Sequence, residues 1–190
     1  MNNYHYMNIK TQQNIQGSFI DLLSEKDFSK ISIQNIADKA DINRGTFYLH
    51  YLDKYDLLEQ IITQLLHSLE HYINNIQQQE VLKSVHQGDL ISHSTPIFQY
   101  IKNNQKLFTT LMTSTYPFNF QQQFKQLLIT QFTEKTEEPA DDQTYQAYIT
   151  NFTSSAYLGV IEEWINRDMK ETPEELSALY MKIILKIREM

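Results

Sequence analysis

Apolar residues recur at spacings of three and four between residues 57 and 76, over about five helical turns. This spacing places the apolar side chains on one face of a long, continuous α-helix. The 190-residue chain has only four glycines and four prolines, and no run alternates apolar and polar residues as a half-buried strand does. We therefore expect an all-α protein.

Other helices are predicted from the same periodicity and from their capping residues. Ser32 is a suitable N-cap for a short second helix, a third begins at Asn43, and Asp53 caps the long helix, which runs to about Gln78. Thr172 and Pro173, followed by two glutamates, give an N-cap, a proline at the first helical position and a capping-box glutamate. Further helices are expected near 8–25, 80–87, 92–113, 118–136, 143–166 and 173–188.

The absence of cysteine excludes a disulfide framework and a thiolate zinc site, and it is typical of a reducing compartment. The first ten residues lack the apolar segment of a signal peptide. No run approaches the roughly 18 apolar residues that a membrane span requires. We expect a cytoplasmic protein with no membrane partner.

A net charge of −7 argues by itself against a nucleic-acid partner. The charge is unevenly distributed, however. Residues 1–54 contain six basic and six acidic side chains, so the whole negative excess lies beyond residue 54. The N-terminal quarter is therefore the part of the chain that repels anions least.

The predicted third helix has two distinct faces. Successive residues are separated by about 100° around a helix axis, which places Phe47 and Tyr51 on one side. Gly45, Thr46 and Leu49 then lie on the opposite side. If Phe47 and Tyr51 point into the core, a glycine and a leucine face outward, which is an unusual surface for contact with water.

The outward face suits the major groove of DNA. Arg44 at its edge can donate two hydrogen bonds to guanine, and Thr46 and Leu49 can contact thymine methyl groups. Tyr48 and His50 can donate hydrogen bonds to phosphates. Two helices of about eight residues joined by a short turn match a helix-turn-helix.

The stretch ISIQNIADKADINRGTFYLHYLDKYDLLEQII closely resembles the DNA-binding region of tetracycline-repressor (TetR/AcrR) family regulators. The features that carry the resemblance are Ile36-Ala37, the turn 40–42, Gly45-Thr46-Phe47-Tyr48, the aromatic Tyr51 and Lys54 at the start of the fourth helix. The match covers about residues 10–60. It implies a helix-turn-helix domain in residues 1–54 and a helical ligand-binding and dimerisation domain in residues 55–190.

The resemblance also implies which residues meet double-stranded DNA. Ser32 and Lys54 would hold phosphates at helix N-termini. The full set at or near the groove is Ser32, Gln34, Asn43, Arg44, Gly45, Thr46, Tyr48, Leu49, His50 and Lys54. Two positions depart from the family pattern: Asp41 stands where glycine is common in the turn, and Tyr51 replaces a phenylalanine, so its hydroxyl needs a partner.

A family ligand pocket is implied in the second domain. The aromatic candidates for its wall are Phe98, Phe108, Phe124, Tyr145, Tyr148 and Phe152. The same residues would also serve as ordinary core filling in a helical domain of this size, so both interpretations stay open. No acidic cluster accompanies them, which argues against a cationic ligand.

The last two helices each carry an apolar stripe, with small residues that allow another helix to approach closely. The stripes can pack on the subunit's own core, or they can form the two-fold, four-helix dimer interface that the family uses. The interface candidates are Phe152, Ala156, Gly159, Leu176, Tyr180, Ile183, Ile184 and Ile187.

These observations predict a dimeric repressor that a small apolar or aromatic ligand releases from a pseudo-palindromic operator. An alternative is a regulator, such as an activator, that a protein partner controls and that has no small-molecule pocket. The segment 157–176 resembles the tail of a subgroup containing such a regulator. An enzyme is not expected, since no nucleophile elbow or phosphate loop is present. No cofactor is expected, and the pair His67 and His71 lacks a third ligand for a metal.

Overall fold

A computed structural model describes residues 3–74, 91–113, 119–134 and 143–188, and all the regular structure in these ranges is helical. The prediction of an all-α protein is confirmed; the predicted helix at 80–87 lies outside the described residues. We number the helices α1 Asn3–Glu25, α2 Ile33–Lys39, α3 Arg44–Tyr48, α4 Lys54–Asn74, α5 Ile91–Asn103, α6 Gln105–Thr113, α7 Phe120–Glu134, α8 Gln143–Asn166 and α9 Pro173–Arg188.

A short 3-10 turn, Phe28–Lys30, separates α1 from α2. None of the helices in the described ranges combines the length and the apolar content that a bilayer span requires.

The chain divides into two compact units. Unit 1 comprises Met1–Leu65 and Lys106–Phe118, and unit 2 comprises Leu66–Gln105 and Asn119–Met190. The division therefore differs from the predicted boundary after residue 54, because the first part of α4 and nearly all of α6 belong to unit 1. An ion pair between Lys106 and Asp21 joins α6 to α1 within this unit.

Both predicted capping motifs are present. Ser32 Oγ accepts a hydrogen bond from the Asn35 amide at 3.1 Å, and Asn35 Oδ1 accepts one from the Ser32 amide at 3.0 Å. At the start of α9, Thr172 Oγ1 accepts a hydrogen bond from the Glu175 amide at 3.2 Å, and the Glu175 carboxylate accepts one from the Thr172 amide at 2.8 Å. These reciprocal bonds satisfy amides that have no partner inside their helices, which fixes where α2 and α9 begin.

One predicted helix is broken in two. The sequence predicts a single helix over 92–113, but α5 ends at Asn103 and α6 begins at Gln105. The side chain of Asn104 donates a 2.9 Å hydrogen bond to the carbonyl of Tyr100. Asparagine competes for backbone groups in this way and so favours helix ends. The break falls next to the boundary between the two units.

An aromatic cluster forms the centre of unit 2. The ring of Phe98 stacks on Tyr157 with centroids 5.5 Å apart and meets Trp164 edge to face at 5.9 Å. Tyr180 of α9 packs edge-on against Tyr157 at 5.2 Å. The indole N–H of Trp164 donates to the carbonyl of Glu171 at 3.1 Å, so α5, α8 and α9 meet at one set of rings.

The buried phenols should make unit 2 sensitive to alkali. Burial raises the pKa of Tyr180 to about 12 and raises that of Tyr157 well above its usual value of 10. A raised folded-state pKa gives stability that is fully present below pH 10 and is lost as the pH rises towards 12. We expect Tyr180→Phe to make the decline of unfolding free energy above pH 10 shallower, measured by urea titration from pH 8 to pH 12.

The matched control is Tyr6→Phe, because this tyrosine is 62% exposed on α1 and lies outside the aromatic cluster. This substitution leaves the buried cluster unchanged, so the decline of unfolding free energy above pH 10 should match that of the unmodified protein. An equal effect of both substitutions would contradict the assignment of the alkaline sensitivity to the buried cluster.

Candidate nucleic-acid interface

The helices α2 and α3 are joined by a tight turn in which Asp41 has a φ of 51°. The amide of Asp41 donates to the carbonyl of Asp38, and the amide of Ile42 donates to that of Ala37 at 3.0 Å. Asp tolerates the left-handed conformation better than most residues. The turn geometry that glycine commonly provides is thus kept, and a carboxylate is added beside α3.

The start of α3 is fixed by Asn43. Its Oδ1 accepts hydrogen bonds from the Thr46 amide at 2.8 Å and from the Thr46 hydroxyl at 3.2 Å. A methyl group added at Gly45 would lie only 3.1 Å from this oxygen. Glycine at position 45 therefore leaves room for the cap, in addition to allowing another molecule close to the backbone.

The predicted orientation of α3 is confirmed. Phe47 is completely buried and Tyr51 is 2% exposed, whereas Leu49 is 82% exposed. Gly45 is also exposed, and Thr46 is partly exposed. The face of α3 opposite Phe47 is therefore an open surface of unit 1, with a large apolar side chain at the C-terminal end of the helix.

Burial affects the hydroxyl that distinguishes Tyr51 from phenylalanine. It raises the pKa of Tyr51, and the buried hydroxyl has no hydrogen-bond partner within the described part of the chain. The ring packs against Phe47, with centroids 5.7 Å apart. The tyrosine that replaces phenylalanine at position 51 is therefore enclosed in unit 1, and its hydroxyl does not alter the exposed face of α3.

Arg44 and Tyr48 lie together at the rim of that face. Arg44 Nη2 donates to the hydroxyl of Tyr48 at 3.3 Å, and its guanidinium carbon lies 5.9 Å from the ring centroid. Tyr48 in turn packs edge to face on buried Phe47 at 5.7 Å. His50, partly exposed, completes the rim. The ring of Tyr48 therefore holds the exposed cation in one region of the surface.

The α2 residues of the predicted set are also at the surface. Ser32 is exposed at the first turn, where its hydroxyl accepts the capping bond and keeps its own proton for a further acceptor. Gln34 is exposed and donates to Asp38 Oδ1 at 2.6 Å. Sequence reasoning missed Asn35, although a polar residue three positions after Ser32 is the signal for a capping box.

Lys54 is placed differently from the other candidates. It is only partly exposed, and its ammonium group donates to the carbonyls of Phe28 at 2.9 Å and Ile31 at 2.8 Å. The predicted phosphate contact would require these internal bonds to be replaced.

The six aromatic pocket candidates are not brought together. Phe98, Phe108 and Phe124 are completely buried, and Phe108 belongs to unit 1 whereas the other two belong to unit 2. The remaining three are exposed on α8, at 60% for Tyr145, 76% for Tyr148 and 56% for Phe152. The first group is core filling in the described structure. Within the described ranges, the second group lies on an outward face of α8 and encloses no space.

The dimer candidates also divide into two groups, one buried in its own subunit and one exposed. Leu176 is 2% exposed and Tyr180 packs on the rings of unit 2, so both serve mainly their own subunit. Phe152, Gly159 and Ile183 are exposed; Ala156 and Ile184 are partly exposed, and the side chain of Ile187 lies outside the described residues. A groove of about 440 Å³ between α8 and α9 is lined by Ala156, Gly159, Leu176, Leu179 and Ile183 among others.

The histidines provide no metal site in the described part of the chain. No group of three or more His, Cys, Asp or Glu side chains is placed there to hold a metal ion, and this includes the surroundings of His67 and His71.

Comparison with known proteins relates both halves of the sequence to bacterial regulators. Residues 20–61 match the family "Bacterial regulatory proteins, tetR family", and residues 88–186 match "Transcriptional regulator C-terminal region". An uncharacterised HTH-type transcriptional regulator of Bacillus subtilis (strain 168), YxbF, is 21% identical over 171 residues. That similarity covers 90% of this chain but only 43% of YxbF.

Solved structures share the fold. A TetR transcriptional regulator from Streptococcus agalactiae 2603V superposes with a TM-score of 0.64 at 24% identity, covering 95% of this chain and 97% of that chain. The dihydroxyacetone kinase operon activator DhaS superposes with a TM-score of 0.62 at 20% identity, covering 94% and 96% respectively.

Proposed function

The chain belongs to the tetR family of bacterial transcriptional regulators, and on that premise we propose that it is a dimeric repressor that binds a pseudo-palindromic operator through α3. Its family is one of regulators rather than enzymes. The observation that carries the proposal is the open face of α3, where Leu49 is 82% exposed next to completely buried Phe47. The same face carries an exposed guanidinium and a phenol hydroxyl, and the combination of these groups with an apolar side chain fits the base edges and phosphates of DNA.

Each group on this face has a role that its chemistry supports. The guanidinium of Arg44 can form two hydrogen bonds to O6 and N7 of guanine, and Leu49 can contact a thymine methyl group. Tyr48 and His50 at the rim, with Ser32 at the start of α2, can donate to phosphate oxygens and so fix the register on the duplex. Double-stranded DNA is the partner that uses all of these groups at once.

The α3 face can be tested by removing its cation. We expect Arg44→Ala to weaken binding to the operator by about 1–3 kcal/mol, because a bidentate contact to guanine contributes on that order. The measurement is a gel shift at fixed salt with an operator selected from random DNA by the unmodified protein.

Lys170→Ala is the matched control, since Lys170 is an exposed cation of unit 2, far along the chain from α3. Its binding should equal that of the unmodified protein. The proposal is wrong if the unmodified protein selects no sequence, or if the two substitutions weaken binding equally.

The proposed dimer places a second copy of the chain over the groove between α8 and α9. One side of α8 is buried by its own unit, yet its opposite side carries exposed Tyr148 and Phe152 followed by Ala156 and Gly159. A helix that is apolar on all sides is normally buried on all sides. Leu179 and Ile183 of α9, exposed at 44% and 38%, extend this surface.

Gly159 supports the same conclusion. A methyl group added there would meet no atom of the described chain within 4 Å, so packing inside the subunit does not require glycine. Glycine within a helix costs about 1 kcal/mol relative to alanine. Close approach of a partner helix is a reason for its presence at this position.

We expect Gly159→Leu to convert the dimer to monomer, raising the dimer dissociation constant at least roughly tenfold because the side chain overfills the contact. Sedimentation equilibrium measures this constant. Gly17→Leu is the control, because a methyl group at this helical glycine of α1 likewise meets nothing within 4 Å. A Gly159→Leu protein as dimeric as the Gly17→Leu protein would contradict the proposed interface.

The two-fold dimer would present its two α3 helices about one DNA turn (~34–36 Å) apart to the halves of the operator. A small apolar or aromatic effector would enter the aromatic interior of unit 2 by displacing packed rings, since Phe98 and Phe124 are completely buried there. Such a molecule can release the operator only by binding more tightly to the conformation with the unfavourable helix spacing. Because α4 has residues in both units, it is the element through which we expect that coupling to pass.

A second function is a transcriptional activator controlled by a protein partner. It is favoured by the similarity in fold to DhaS, which is described as an operon activator, and by the separation of the six aromatic pocket candidates. Transcription in vitro from a promoter carrying the selected operator distinguishes the two functions, because added protein lowers transcription in the first case and raises it in the second.

A further inference from the structure

We propose that Lys54 is a positioning residue that fixes the DNA-facing end of α2 and makes no phosphate contact of its own. The inference rests on the proposed binding of DNA by unit 1. It concerns the first residue of α4, at a position where the family resemblance implies a direct contact with the DNA backbone.

The ammonium group of Lys54 is occupied by its own subunit. It donates to the carbonyl of Phe28 at 2.9 Å and to that of Ile31 at 2.8 Å, and the carbonyl of Ser29 lies 3.4 Å away. An ammonium group has three protons to donate. Three carbonyl oxygens of one short turn surround it, so a phosphate would have to displace bonds to the protein.

Aromatic rings hold the cation in the same place. Lys54 Nζ lies 4.5 Å from the ring centroid of Phe28 and 5.7 Å from that of Tyr55. Phe28 is itself buried, and it packs edge to face on Tyr55 at 5.0 Å and on Phe19 at 6.2 Å. A cation over ring faces is stabilised most where water is partly excluded, as it is around this partly exposed side chain.

These contacts connect the beginnings of two helices. Lys54 opens α4, and the carbonyl of Ile31 immediately precedes Ser32, the N-cap of α2. The bond between them therefore determines where the Ser32 hydroxyl and the first amides of α2 lie relative to α4. Because the Ser32 hydroxyl is the phosphate donor that we propose at the start of α2, Lys54 acts on DNA binding through the position of that hydroxyl.

The dependence of affinity on salt separates this role from direct contact. Each phosphate that a cation neutralises contributes about −0.9 to the slope of log K against log salt. Removing a phosphate-binding lysine lowers the steepness of that slope by about 0.9. Removing a positioning lysine weakens binding at every salt concentration and leaves the slope unchanged.

The experiment compares Lys54→Met with the unmodified full-length protein on the selected operator, from 50 to 200 mM KCl. We expect a loss of affinity on the order of tenfold, because bonds from a charged donor are lost, and a slope equal to that of the unmodified protein. Lys54→Gln keeps two N–H donors without the charge. It should lose less affinity than Lys54→Met, again with an unchanged slope.

A second measurement separates a positioning role from a general loss of stability. It compares the loss of operator affinity that Ser32→Ala causes in the unmodified protein and in Lys54→Met. If Lys54 acts through the start of α2, adding Ser32→Ala to Lys54→Met should weaken binding less than Ser32→Ala weakens the unmodified protein. The inference is overturned if the losses of affinity are additive or if Lys54→Met binds as tightly as the unmodified protein. It is also overturned if the steepness of the salt slope falls by about 0.9 in either folded Lys54 variant.

Two checks separate a failure of this inference from a failure to fold or a failure of the proposed function. They are the folding of each variant and operator selection by the unmodified protein. Circular dichroism melts identify the temperature at which each variant is folded, and if Lys54→Met is not folded there, Lys54→Gln carries the measurement of the slope. If the unmodified protein selects no operator, the proposed function fails as a whole. If it binds and only the slope or the additivity differs from expectation, the role of Lys54 alone is wrong.

Discussion

The burial of Phe47 is the constraint on which the rest of unit 1 depends. Once this ring is completely enclosed, the helical geometry of α3 leaves Gly45 and Leu49 no position except the surface. The Asn43 cap and the left-handed Asp41 turn then determine where the helix begins. A face assembled in this way cannot rotate into the core without exposing Phe47, which would cost about 3–5 kcal/mol by analogy with the loss of a buried phenylalanine.

Capping hydrogen bonds at the starts of α2 and α4 also stabilise unit 1. Ser32 and Asn35 cap α2 reciprocally, and Asp53 accepts bonds from the amides of Tyr55 and Asp56 at the start of α4. Lys54 ties these two beginnings together through backbone carbonyls. The surface proposed to meet DNA is thus supported by local bonds between short segments.

The sequence predicts those features that depend on neighbours along the chain. The bounds of α8 and α9, the Ser32 and Thr172 caps and the orientation of α3 all follow from spacing and capping chemistry, and all are confirmed. The break at Asn104 was missed because no glycine or proline marks it. A single asparagine side chain, bonded to a carbonyl four residues earlier, is a weak signal.

Tertiary placement of similar residues was less predictable. Phe98 and Phe152 are the same residue type, yet one is completely buried and the other is 56% exposed. Periodicity shows that α8 has apolar residues on more than one side, but it does not show which side its own subunit covers. The answer depends on how other helices of unit 2 pack against α8, which the spacing of residues within α8 does not reveal. For this reason the pocket candidates separated, and the interface candidates divided between buried and exposed positions.

The most direct test of the α3 face is photo-crosslinking from position 49. A benzoylphenylalanine introduced in place of Leu49 should crosslink to the selected operator on illumination, whereas the same group in place of Leu185, exposed at 43% on α9, should not. Crosslinking to bases from position 49 alone is the result that the account predicts. Operator binding without any crosslink from position 49, or equal crosslinking from both positions, would contradict it.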